Sequence, residues 1–186
     1  GRLGRAVLSG VQVPGTVKAL SGIKAISATS QHALAVGDDG LVWSWGMNRY
    51  GALGDGSSND RSAPARVSGL ADITSVAAGG LHSLALGSGG EVWAWGYNAT
   101  GQLGDGTTTD RLAPVKVPNL SGVVAVSAGT NFSCAGTADG RLWAWGSGSS
   151  AQLGRSTSAA SSPIAGPVLG LDDFRSVGCG EKFVVA

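Results

Sequence analysis

Two imidazoles are the first candidates for chemistry. His32 and His82 stand 50 residues apart, and a histidine pair can shuttle protons or ligate a metal. The equivalent positions further along the chain are Phe132 and Phe183. A position that takes either ring is filling space, and no third nitrogen or thiolate stands at metal-site spacing. A second set is acidic: Asp55, Asp60, Asp105 and Asp110, in DGSSNDR ending at Arg61 and DGTTTDR ending at Arg111. Paired carboxylates suit acid–base work or calcium. The third copy, LGRSTSAASSP, has neither the carboxylates nor the arginine, so the expected role is an Asp–Arg pair that caps the loop. Cys134 and Cys179 are too few for a disulfide framework and sit among small and apolar residues, so both read as buried, inert thiols. There is no Ser/His/Asp spacing that stands out, no G-x-S-x-G elbow and no phosphate-cradling loop. The expectation is a protein that is not an enzyme, with no catalytic residue, metal or cofactor.

The remaining candidates lie where the copies of an internal repeat differ. One set of segments reads MNRY (Met47 to Tyr50), YNAT (Tyr97 to Thr100) and SGSS (Ser147 to Ser150). The other reads TSQ (Thr29 to Gln31), GGL (Gly79 to Leu81), GTN (Gly129 to Asn131) and GEK (Gly180 to Lys182). Variable loops on a rigid scaffold are where binding is usually placed, and Tyr and Arg are the types that anchor interfaces. The expected contact residues are Gln31, Arg49, Tyr50, Leu81, Tyr97, Asn98, Thr100 and Asn131.

The elements that must hold these loops follow from the repeat. VWSWG ending at Gly46, VWAWG ending at Gly96 and LWAWG ending at Gly146 recur every 50 residues, each followed by Leu53-Gly54, Leu103-Gly104 or Leu153-Gly154. The register extends back to Leu3-Gly4 and forward, shifted by one residue, to Phe174–Ala186. Each unit reads as four short strands. In the second, strand A covers about Ile73 to Ala78, B about His82 to Gly87 and C Glu91 to Gly96. Strand D covers about Ala63 to Val67 in the unit before and Ala113 to Val117 in this one. Asp39-Gly40, Gly89-Gly90 and Asp139-Gly140 supply the tight B–C turns. Four antiparallel strands at this period describe propeller blades. The A–B and C–D loops emerge on one face, the B–C and D–A turns on the other. Nearly continuous apolar runs such as SLALG suit blades covered on both sides.

The expected fold is therefore all-β: one D strand, three complete blades and a final A–B pair, about 3.7 blades in a single segment over residues 1–186. The blades run 1–20 (partial), 21–70, 71–120, 121–171 and 172–186 (partial). Starting and stopping within a blade reads as an excerpt of a longer propeller, with further blades of its own or of another chain covering the open edges.

Composition narrows the function classes. The chain is 42% hydrophobic and 13% charged, with 13 basic against 12 acidic residues and no basic cluster, which argues against nucleic acid as a partner. No apolar run approaches the ~20 residues of a membrane span. Low charge and Ser/Thr/Gly-rich loops suit an extracellular or cell-surface setting.

AGGLHSLALGSGGEVWAWGYNATGQLGDGTTTDRLAPVKV closely resembles the regulator-of-chromosome-condensation repeat, and the likeness covers essentially the whole chain. The resemblance implies a typically seven-bladed propeller without enzymatic chemistry. Its members include a nucleotide exchange factor for a small GTPase, a plant ultraviolet-B photoreceptor and a secreted bacterial inhibitor of β-lactamases. The exchange factor's long blade insertion is missing here, and so is the photoreceptor's Gly-Trp-Arg-His-Thr motif. The inhibitor grips its partner through aromatic loop residues on one face, and by that analogy Tyr50 and Tyr97 are the preferred contacts. The leading expectation is a non-catalytic protein-binding module acting on another protein. The alternatives are a structural or cell-surface repeat and a regulator of a GTPase.

Overall fold

The computed structural model describes residues 4, 16–17, 20–155, 160–170 and 174–186. Within these, every regular element is a strand. Blade 1 holds β1 (Ile23–Ala28), β2 (His32–Gly37), β3 (Val42–Gly46) and β4 (Arg61–Arg66). Blade 2 holds β5 (Ile73–Ala78), β6 (His82–Gly87), β7 (Val92–Gly96) and β8 (Arg111–Lys116). Blade 3 holds β9 (Val123–Ala128), β10 (Phe132–Thr137), β11 (Leu142–Ser147) and β12 (Ser161–Pro167). Blade 4 contributes β13 (Gly178–Cys179) and β14 (Val184–Val185). Each complete blade is an antiparallel meander in chain order. The D strand expected before residue 20 lies outside the described residues.

Strands A and B fall where the repeat puts them. Strand D begins two residues earlier than expected, because Arg61 and Arg111 pair with Gly46 and Gly96 and draw the ladder back into the loop. Those glycines sit at φ 113° and 102°, a region other residues avoid. A Cβ on Gly96 would lie 2.6 Å from the Leu81 carbonyl oxygen, so only glycine lets β7 run this close to the A–B loop.

Blades are held by three apolar seams. Leu34, Val36 and Val42 of blade 1 pack with Val76, Ala78, Ala85 and Trp95 of blade 2. Leu84, Leu86 and Val92 repeat this against Val126, Ala128 and Trp145 of blade 3. Phe132, Cys134 and Leu142 meet Val177, Cys179 and Val184 of blade 4. Of each Trp-X-Trp pair, the second indole is buried and the first half-buried. Full burial of Trp95 or Trp145 is worth at most about 4–6 kcal/mol.

A polar weld runs through the first two seams. Ser83 Oγ donates to the Ala52 carbonyl at 2.8 Å, so it must accept from His32, whose Nε2 lies 2.8 Å away. Trp95 Nε1 donates to the same carbonyl at 2.8 Å. At the next seam His82 Nε2, Ser133 Oγ, the Gln102 carbonyl and Trp145 Nε1 repeat the arrangement. The hydroxyl's one proton is committed, which fixes both histidines as neutral Nε2–H tautomers. At the third seam, Phe132 and Val184 stand where the histidine and serine would be, and imidazole and hydroxyl are lost together.

The C–D loops of blades 1 and 2 also strap each blade to the outer strand of the next. Gly56 N–H donates to the Leu112 carbonyl at 2.9 Å, and Gly106 N–H to that of Pro163 at 3.0 Å.

The cysteines correct the expectation of two independent inert thiols. Cys134 on β10 and Cys179 on β13 bring their sulfurs into bonding contact across the third seam, and neither is a free cysteine. The 50-residue period hides this proximity, because strand B of one blade faces strand A of the next at a separation of 45 residues here.

Candidate functional site

Asn48 and Asn98 organise the C–D loops. Asn98 Nδ2 reaches the Asp105 carboxylate at 3.2 Å and the carbonyls of Thr107 and Thr109 at 3.1 and 3.0 Å, while its Oδ1 accepts the Leu103 N–H at 3.0 Å. Its own N–H donates to Asp110 at 2.8 Å. Asn48 repeats the pattern with Asp55, Ser57, Leu53 and Asp60. Arg61 and Arg111 close the loops by pairing with Asp55 at 2.5 Å and Asp105 at 2.7 Å. Burial would raise both carboxyls, but hydrogen bonds outweigh it and hold each below its usual value. For Asp55 these come from Arg61, Ser57 and Asn48. For Asp105 they come from Thr107 and Arg111. The expected Asp–Arg pairs are therefore present, and the carboxylates serve the loop.

Asn98 was an expected contact residue, and the structure removes it from the exposed set. It is fully buried, with its side-chain oxygen and nitrogen both engaged. One sequence signal pointed to this role. The third copy carries Gly148, Arg155, Ala160 and Ser161 in place of the asparagine, two aspartates and arginine, so the four polar groups are lost together. There the Gly148 N–H bonds the Ala160 carbonyl at 2.8 Å, where Asn48 used the Asp60 carboxylate.

The two histidines lie beneath this face rather than on it. Burial pushes His32 down to about 4 and His82 to about 3, with the charge of His32 a second cause for the latter. Among the described residues, no three His, Cys, Asp or Glu side chains come together to hold a metal ion.

The other expected contacts divide into two groups. Gln31, Leu81 and Asn131 are half-buried and line a cavity of about 510 Å³ formed by the A–B loops, with Gly80, Thr130 and Glu181 among its other walls. Their carbonyls accept the N–H groups of Met47, Tyr97 and Ser147, fixing each A–B loop to the C–D loop of its own blade. Thr100 spends its hydroxyl within the protein, 2.8 Å from Gln102 Oε1 of its own loop and 3.1 Å from the Asn131 carbonyl of the next blade.

Arg49, Tyr50 and Tyr97 form the second group, and the structure brings them together. The rings of Tyr50 on blade 1 and Tyr97 on blade 2 lie 4.7 Å apart between centroids, tilted by 49°. The exposed Arg49 guanidinium sits over Tyr50, 5.3 Å from the ring centroid. The Leu81–Tyr97 backbone bond ties this cluster to the cavity wall. This tilted contact across the seam joins the two rings into one surface, a pairing that a 47-residue separation concealed in the sequence.

Known proteins share this architecture. A 63-residue stretch is 40% identical to the ultraviolet-B receptor UVR8 of Arabidopsis thaliana, covering 33% of this chain and 14% of that protein. Among solved structures, Prp20p of Saccharomyces cerevisiae, described together with its binding properties to Gsp1p and histones, matches with a TM-score of 0.80 at 25% identity, over 89% of this chain and 43% of that one. Human WBSCR16 matches at 0.76 and 27%, over 86% and 43%. The chain thus spans less than half of each of these proteins. The regulator of chromosome condensation (RCC1) repeat model matches residues 39–86, 89–135 and 139–186, and a second model of the same repeat matches 23–52, 73–102 and 123–152. Repeats matched over most of its length, folded as four-stranded blades, place the chain in the RCC1 repeat family.

Proposed function

We propose that this propeller segment is a non-catalytic protein-binding module and that the face formed by its A–B and C–D loops is the binding surface. The observation that carries the reading is the Arg49–Tyr50–Tyr97 cluster. The blades beneath it are joined by apolar packing, the His32–Ser83 weld and the Gly56 strap, so the cluster is free to serve a partner. Large aromatic rings held by a neighbour and flanked by arginine are the residue types that dominate interface energetics. Prp20p, a structural neighbour, binds other proteins, which supports a partner of the same class. Gln31, Leu81 and Asn131 extend the surface into the cavity, and Thr100 borders it. Low charge and Ser/Thr/Gly-rich loops favour placement outside the cell or at its surface.

The test is a pull-down from the lysate and culture medium of the source organism, using wild type and Tyr50→Ala/Tyr97→Ala. Each truncation is expected to cost about 2 kcal/mol of binding, roughly 30-fold, so the double variant captures nothing that wild type captures specifically. Identical captures by both proteins would remove the cluster from the site and favour a purely structural repeat.

A further inference from the structure

We propose that Cys134 and Cys179 form a thiol–disulfide exchange site that clasps blade 4 to blade 3. The other seams show what this position otherwise holds. Ser27 Oγ accepts the Ala78 N–H at 2.9 Å, and Ser127 Oγ accepts the Cys179 N–H at 2.9 Å, so Cys179 occupies the place of Ala78. Cys134 occupies the place of Leu34 and Leu84 on strand B. A leucine on one blade and an alanine on the next are thus both replaced by cysteine, at one seam only. That seam is also the one where Phe132 and Val184 replace the histidine–serine weld. Blade 4 contributes only the two-residue strands β13 and β14 among the described residues, so a covalent bond here fastens the least extensively paired unit.

The chemistry has an entry path and a resting place for the proton. Cys179 lines the cavity of about 510 Å³ between the A–B loops, whereas Cys134 is fully buried. A low-molecular-weight thiolate such as glutathione can reach the Cys179 sulfur from the cavity. Its attack forms a mixed disulfide, breaks the Cys134–Cys179 bond and leaves the electron pair on Cys134 Sγ. That sulfur takes up a proton and lies 3.6 Å from the Ser127 carbonyl, which accepts the S–H. A second thiolate then releases Cys179 and departs as the small-molecule disulfide. In the forward direction, a low-molecular-weight disulfide takes the two electrons and two protons of the pair. Reduction removes the covalent clasp and frees β13, β14 and the Gly180–Glu181 wall of the cavity.

The folded chain is equilibrated with glutathione disulfide or with dithiothreitol, and the unfolded thiols are then counted by alkylation and mass spectrometry. Hydrogen exchange is followed over residues 174–186 in both states. The expected result is no alkylated cysteine in the oxidised protein, two in the reduced, and exchange in that segment at least 10-fold faster on reduction. A Cys134→Leu/Cys179→Ala variant, which restores the pairing of the other seams, is expected to stay protected and ignore the reductant. Two free thiols after oxidation, or equal exchange in the two states, would overturn the proposal.

Discussion

Acidification from pH 6.5 to 4 is expected to remove on the order of 5 kcal/mol from the stability of this chain, and His32 and His82 are the cause. Both are buried neutral, their Nε2–H committed to a serine and their Nδ1 buried without a partner. Protonation would place a charge in an apolar seam, and burial therefore holds the folded values at about 4 and about 3 against 6.5 for a free histidine. Between those values the unfolded chain binds protons that the folded chain refuses. Stability is therefore complete above pH 6.5 and falls as the pH drops, by about 1.4 kcal/mol per pH unit for each histidine. The two together make a slope near 2.7 kcal/mol per unit, large against the 5–15 kcal/mol that holds an ordinary domain together. Asp55 and Asp105 act lower, below the free carboxylate value of 3.8, where the hydrogen bonds that hold them ionised are lost. Urea unfolding measured at intervals from pH 7 to pH 4 checks this. His82→Phe, which copies Phe132 at the third seam and leaves Ser133 its bond to the Gln102 carbonyl, is expected to halve the slope. A wild-type slope near zero over this range would contradict the account.

Asn98→Ala is the second large effect, a loss of about 2–4 kcal/mol. The substitution leaves the buried Leu103 N–H without an acceptor and removes the hydrogen bonds that Nδ2 donates to Asp105, Thr107 and Thr109. Thr100→Ala, at most two hydroxyl bonds poorer and only half-buried, is expected to cost less than about 1 kcal/mol. Chemical denaturation of the two variants at pH 7 separates them. Equal, small losses would mean the asparagine is not the organiser of its loop.

Much of the fold was legible because the 50-residue recurrence of Trp-X-Trp-Gly and the Gly turns both report backbone geometry, which is local. Strands A and B of blade 2 needed no adjustment. The C–D loops were harder. Asn98 looked like one member of a variable surface segment, and only its shared loss with the two aspartates and the arginine in the third copy marked it as internal. The pairings that join blades were least visible. His32 finds Ser83, Tyr50 finds Tyr97 and Cys134 finds Cys179 through the offset between neighbouring blades, and a comparison of equivalent positions passes over that offset. The aromatic types of Tyr50 and Tyr97 pointed to the proposed binding surface; their contact across the seam needed three dimensions.

The surface assignment is tested most directly by hydrogen-exchange footprinting of the chain in complex with the protein it captures. Protection is predicted in the A–B and C–D loops, strongest across 47–50, 79–81 and 97–100, with the turns at 38–40, 88–90 and 138–140 unchanged. Protection confined to those turns would put the partner on the opposite face and contradict the account.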